Sequence, residues 1–266
     1  MNIKSLSTLK KFENILRFKN YSDNTIKLYI CYAKLFLNDF DKDIYHIPIK
    51  DVEEYLINKS FKSISQQNQY ISSIKLLYQY IIKCKLKINN IQRPISEKKL
   101  PLVIDNDTIL NKINNIKNLK HKSILLLSYS VGLRISEIIN LKISDIDSNR
   151  MIINIKQSKG KKDRIVPLSI NVLKKLRLYY ISYKPIEYLF NGQKSLKYST
   201  SSCNKIVKNY LGEQYHFHTL RHSCFTNLLE NGTDIKIIKE LAGHNDIKTT
   251  EKYLHLKSFK NLELLI

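Results

Sequence analysis

A chain of 266 residues with 43% hydrophobic content is long enough to bury one large core or two ordinary ones, and its make-up is that of a globular protein. Its 45 Lys and Arg against 23 Asp and Glu leave a formal charge of +22, which points to a polyanion as partner, nucleic acid first. Four scattered cysteines with no C-x-x-C pair argue against a disulfide frame or a zinc site, and the lack of a signal-like N-terminus or a bilayer-length apolar run predicts a cytoplasmic protein with no membrane association.

The surplus of positive charge is spread out. Residues 1–95 carry 16 basic and 8 acidic side chains, and the remainder carries 29 and 15. Both halves are basic, so a clamp on DNA from two sides is expected. An AT-rich coding sequence would explain the choice of Lys over Arg, but it explains the sign of the imbalance less well.

Residues 1–92 read as helical throughout. Leu6, Leu9, Phe12, Ile15 and Leu16 fall on one helical face. Ser22 reads as the N-cap of a second helix, with Ile26, Tyr29, Ile30, Ala33 and Phe36 as its apolar stripe. A short third helix is expected near Asp51, with Val52, Tyr55 and Leu56 facing inward. A long fourth, from Ser63 to Lys83, buries Tyr70, Ile71, Ile74, Leu77, Tyr78 and Ile81. Four such helices make a bundle. Residues 93–103, polar and carrying Pro94 and Pro101, read as a linker.

The second domain, residues 104–266, opens with helices, one of them apolar at 122–129. Residues 151–156 alternate as a strand, 158–163 read as a turn, and 164–168 as the returning strand of a hairpin. The rest reads as helical, with Gly232 as a C-cap and Gly243 at a tight turn. The expected fold class is mainly α with a small β-sheet (α+β).

The candidate chemistry lies in a few ordered residues. Cleaving a phosphodiester passes through a phosphorane with added negative charge, which fixed donors can stabilise. Arginine suits this task, being always charged and presenting a planar fork. Arg134 and Arg221 are the candidates. Glu137 stands three residues after Arg134, at the spacing of one helical face, and can brace it. His218 stands in the same relation to Arg221. Taken singly each is weak: Tyr253 is one of 17 tyrosines, and a Lys-Gly-Lys-Lys turn is usually only solvated.

In order, however, Gly132-Leu133-Arg134-Ile135-Ser136-Glu137, a lysine in a hairpin turn, His218-Thr219-Leu220-Arg221-His222, Leu241-Ala242-Gly243-His244 and Tyr253 resemble the tyrosine recombinases, the phage-integrase family that includes the Xer enzymes and Cre. The resemblance covers nearly the whole chain. It implies an N-terminal four-helix, SAM-like core-binding domain and a C-terminal catalytic domain.

It also implies roles. Tyr253 would attack the scissile phosphate, giving a 3′-phosphotyrosyl enzyme and a free 5′-hydroxyl. His218 would help remove the phenol proton. Arg134, Arg221 and His244 would hold the non-bridging oxygens, and a hairpin-turn lysine would protonate the leaving 5′-oxygen. Lys159 matches that lysine best because Gly160 follows it, with Lys161 and Lys162 as rivals. His222 and His255 would be structural. No metal or cofactor is implied. The substrate would be double-stranded DNA, handled by a homo-tetramer, or a hetero-tetramer with a paralogue, on two sites through a Holliday junction. A type IB topoisomerase-like nicking and closing enzyme, or a DNA-binding protein with an unused site, are the alternatives. Ala242 stands where leucine is more usual. The tail 254–266 would either dock on a neighbouring protomer or fold back on its own domain.

Overall fold

In the computed structural model, which describes residues 3–40, 42–83, 93–94, 101–156, 163–193, 195–244, 246–251 and 253–254, the chain divides into two units, Met1–Lys98 and Lys99–Ile266. The expected linker, residues 93–103, lies mostly outside the described residues, as does the tail from 255 onward.

Among its described residues the first unit holds four α-helices: α1 (Ile3–Phe18), α2 (Asp23–Phe40), α3 (Ile49–Asn58) and α4 (Ile64–Leu77). Their starts follow the capping signals. Ser22 Oγ accepts the Thr25 amide at 3.3 Å and Ser63 Oγ accepts the Gln66 amide at 3.1 Å. Leu9, Phe12 and Leu16 of α1 meet Ile26, Ala33 and Phe36 of α2, Val52 and Leu56 of α3, and Tyr70, Ile71, Ile74 and Leu77 of α4 in one core.

Three details depart from the expected pattern. Leu6 is 55% exposed, while Ser5 is buried. The buried stripe of α2 runs through Tyr32 and Leu37, leaving Tyr29 and Ile30 half-buried. The last turn of the fourth helix widens to a π-turn over Tyr78–Ile82, which keeps Tyr78 and Ile81 in the core.

The second unit contains α5 (Asn106–Asn114), α6 (Leu119–Val131), α7 (Ile135–Asn140), β1 (Ile146–Asp147), β2 (Ile152–Ile155), β3 (Arg164–Pro167), α8 (Ile170–Tyr183), α9 (Thr200–Leu211), α10 (Phe217–Glu230), α11 (Ile235–Ala242) and α12 (Lys248–Glu251). Helices α6 and α10 are apolar on most sides and run through the core. Several of their buried polar groups are paired: Ser223 Oγ donates to Thr219 O and accepts the Ile104 amide, and Asn227 Nδ2 donates to Tyr129 Oη.

The expected hairpin is present. β2 pairs antiparallel with β3, setting Ile153 opposite Val166 and Ile155 opposite Arg164. Ile153, Ile155 and Val166 face the core, and Pro167 is tolerated because β3 is an edge strand. β1, too short to be read from the sequence, pairs with the other edge of β2. The expected turn, with Lys159, Lys161 and Lys162, lies outside the described residues. The result is a mainly helical protein with one small antiparallel sheet. Among the described residues no helix is long and apolar enough to cross a membrane.

Candidate active site

The site is assembled around the ends of three helices. Helix α6 stops at Gly132, whose φ of +63° is the left-handed conformation glycine adopts without strain. A Cβ there would stand 2.5 Å from the Phe225 ring. Arg134 follows as the N-cap of α7, with Glu137 in the first turn. The Glu137 carboxylate accepts the Arg134 backbone amide at 2.8 Å, the reciprocal bond of a capping box, and Arg134 Nη1 at 2.8 Å. The expected brace therefore has a geometric basis. Arg134 Nη2 reaches Ala242 O at the end of α11, at 2.9 Å.

Arg221 comes from α10 and is 1% exposed. Its Nη1 donates to Gly132 O and its Nη2 to Ala242 O, both at 2.6 Å, and its guanidinium lies 4.8 Å from the Phe225 ring centre. Burial lowers its pKa to about 10, helped by the charge of Arg134, so the group stays protonated at neutral pH.

Gly243, at φ +59°, ends α11 and turns the chain to His244. His244 Nε2 lies 3.2 Å from Arg221 Nη2, and its Nδ1 lies 2.9 Å from Thr250 Oγ1. A guanidinium can only donate, so Nε2 accepts and Nδ1 is left to donate to Thr250.

Tyr253 closes the cluster. It is fully buried, its ring stacked on His244 at 6.5 Å and 10°, with Phe225 and His222 rings at 5.4 and 5.6 Å. Burial pushes its phenol up to about 12, against the opposing charge and hydrogen bonding of Arg221. His218 is exposed on α10, and its ring packs edge-on against His222 at 4.5 Å. Arg134, Glu137, Arg221, His244 and Tyr253 are thus brought together. His222 lies between His218 and Tyr253, in ring contact with both. Lys159, Lys161, Lys162 and His255 lie outside the described residues.

The pattern of the Phage integrase family matches residues 103–259, and that of the phage integrase N-terminal SAM-like domain matches residues 8–88. The tyrosine recombinase XerA of Pyrococcus horikoshii is 33% identical over 254 residues, covering 92% of this chain and 87% of its own. The chain belongs to the phage integrase family of tyrosine recombinases. It is a site-specific recombinase, an enzyme of a family that cleaves and rejoins DNA through a tyrosine intermediate.

Two solved structures share the fold of this recombinase. One is the XerH site-specific recombinase in a post-cleavage complex with palindromic difH substrate (TM-score 0.73, 22% identity, 88% of this chain and 76% of that one). The other is a lambda integrase tetramer bound to a Holliday junction (TM-score 0.72, 16% identity, 98% and 79%).

One residue of the recombinase's site escaped sequence reasoning. Arg164, at the start of β3, donates Nη1 to Glu137 Oε1 at 2.7 Å, Nη2 to Oε2 at 2.9 Å, and Nε to Leu241 O at 2.9 Å. Burial alone would raise the Glu137 pKa, but the bonds and charge of Arg164, then the bonds of Arg134, hold it down at about 2. The only sequence signal was a position just after the lysine turn, and in a chain with 45 cations that carries little weight.

Proposed function

We propose that this recombinase cuts double-stranded DNA with Tyr253, forming a 3′-phosphotyrosyl bond as the bond to the 5′-oxygen breaks. The observation that carries it is a single tyrosine set against two arginines whose guanidiniums converge on one oxygen, Ala242 O. Donors arranged to meet one oxygen suit the non-bridging oxygens of a phosphate. Arg134, Arg221 and His244 take that role, with Glu137 as the brace of Arg134.

The phenol proton passes to His218, and Lys159 delivers a proton to the departing 5′-oxygen. A second 5′-hydroxyl then attacks the phosphotyrosine and reseals the strand, since the covalent link conserves the phosphodiester's free energy. Tyr253 must leave its buried pocket to reach DNA, so cleavage requires the segment around α12 to shift when the substrate binds.

Residues 1–92 form the core-binding domain, 93–103 the linker and 104–266 the catalytic domain. Both units are basic and contribute to DNA binding, and four protomers act on two sites through a Holliday junction. The kinship with XerA and the fold shared with a lambda integrase tetramer support this assembly. Supercoiled plasmid carrying two copies of the mapped cleavage site tests it. Deleted or inverted products together with covalent protein–DNA adducts are expected; relaxation without exchange would point to a nicking and closing enzyme instead.

A further inference from the structure

Among the described residues, Glu137 accepts four hydrogen bonds from two arginines. Each carboxylate oxygen takes one bond from each of two arginines. Oε1 accepts Arg134 Nη1 and Arg164 Nη1, and Oε2 accepts the Arg134 amide and Arg164 Nη2. Arg134 is the residue that Glu137 is placed to hold. The bonds from Arg164 tie the carboxylate to a group other than the one it orients.

Arg164 supplies the outside reference. It belongs to a different element, 27 residues further along the chain, and its side chain is only 9% exposed. Its third donor, Nε, holds Leu241 O, in the last turn of α11. Gly243 packs so closely on it that an added Cβ would stand 3.1 Å from Arg164 Cδ. One rigid fork thus touches both strips of backbone and side chain that carry the candidate phosphate ligands.

We propose that Arg164 is a positioning residue for strand cleavage: through the Glu137 carboxylate it sets the aim of Arg134, and through the Leu241 carbonyl it sets the end of α11 from which His244 projects. The inference rests on the assignment of Arg134 and His244 as phosphate ligands. Lysine at this position would keep the charge but lose the fork, and so could hold only one of the three acceptors in the same geometry.

The test is single-turnover adduct formation on a nicked duplex carrying the mapped cleavage site, at saturating protein, for Arg164→Met, Arg164→Lys, Glu137→Gln and the Glu137→Gln/Arg164→Met pair. A displacement of catalytic groups by an ångström can cost on the order of 100-fold. Arg164→Met is therefore expected to cleave about 10- to 100-fold more slowly while binding DNA as tightly as the parent.

Arg164→Lys should recover part of that loss, and should carry the comparison should the Met variant unfold in a melting experiment. The loss in the double variant should fall short of the product of the two single losses, because one of the two routes by which Arg164 acts runs through Glu137. Parental rates in both Arg164 variants, or losses that multiply in the double variant, would overturn the proposal. Arg134→Lys separates the two levels. If it cleaves normally, the phosphate-ligand assignment fails; if it is dead while the Arg164 variants cleave normally, only the positioning role fails.

Discussion

Arg134 and Arg221 donate to the same acceptor, the carbonyl oxygen of Ala242, at 2.9 and 2.6 Å. Two like charges are held together because each has compensation: Glu137 faces Arg134, and Arg221 is held by Gly132 O, Ala242 O and the face of Phe225. Such a pair is costly to bury and useful only where negative charge arrives.

The two arginines should therefore respond differently to substitution. Arg221→Lys takes the guanidinium donor from the buried Gly132 carbonyl, at about 1–3 kcal/mol, while Ala242 O keeps its bond from Arg134. Arg134 has a side chain 15% exposed, so water can replace part of what is lost and Arg134→Lys should unfold nearer to the parent. Both should reduce adduct formation by about 100-fold or more. Urea melts beside the adduct assay check this; equal destabilisation by the two substitutions would contradict it.

Glu137 gives the site an acid-sensitive brace. Its folded pKa of about 2 lies below the ordinary 4.5, so the stability it contributes is present above pH 4.5 and is lost as pH falls toward 2. The loss should amount to about 3 kcal/mol across that window. Glu137→Gln should remove this part of the acid dependence while lowering stability at neutral pH, because Arg134 and Arg164 lose their counter-charge. Chemical denaturation at a series of pH values measures both effects.

Gly132 is required twice over, by its positive φ and by the Phe225 ring that a Cβ would meet at 2.5 Å. Gly132→Ala should cost about 2–4 kcal/mol from backbone strain and overpacking together. Phe225→Leu in the same chain should recover the packing part alone, so the double variant should be more stable than the sum of the two single losses predicts. Strict additivity in thermal melts would show that the contact with Phe225 is not what forbids a side chain here.

Much of this architecture could be read from the sequence because it depends on neighbours along the chain. Apolar residues at helical spacing located α1 to α4, Ser22 and Ser63 marked helix starts, and alternation located β2 and β3. Arg134 and Glu137 at three-residue spacing gave the brace for the same reason. What stayed hidden depends on partners far away. Arg164 is bonded to Glu137 and Leu241, 27 and 77 residues distant, and no local pattern separates it from a solvated cation. The exposure of Leu6, the π-turn at Tyr78–Ile82 and the two-residue β1 are likewise set by packing rather than by propensity.

The assignment of the general acid has its own chemical test. Lys159→Ala should cleave ordinary DNA poorly but recover on a substrate with a 5′-bridging phosphorothiolate, whose leaving group needs no proton. Failure to recover would move the role to Lys161 or Lys162.

The central claim is that Tyr253 is the nucleophile, though in the DNA-free protein its phenol is buried and held protonated. The most direct measurement is covalent capture on a nicked duplex by the parent and by Tyr253→Phe, with the linked peptide identified by mass spectrometry. The parent should yield an adduct on the peptide containing Tyr253, and the Phe variant should bind the same DNA and yield none. Adducts persisting in the Phe variant, or a parental adduct on another residue, would contradict the account.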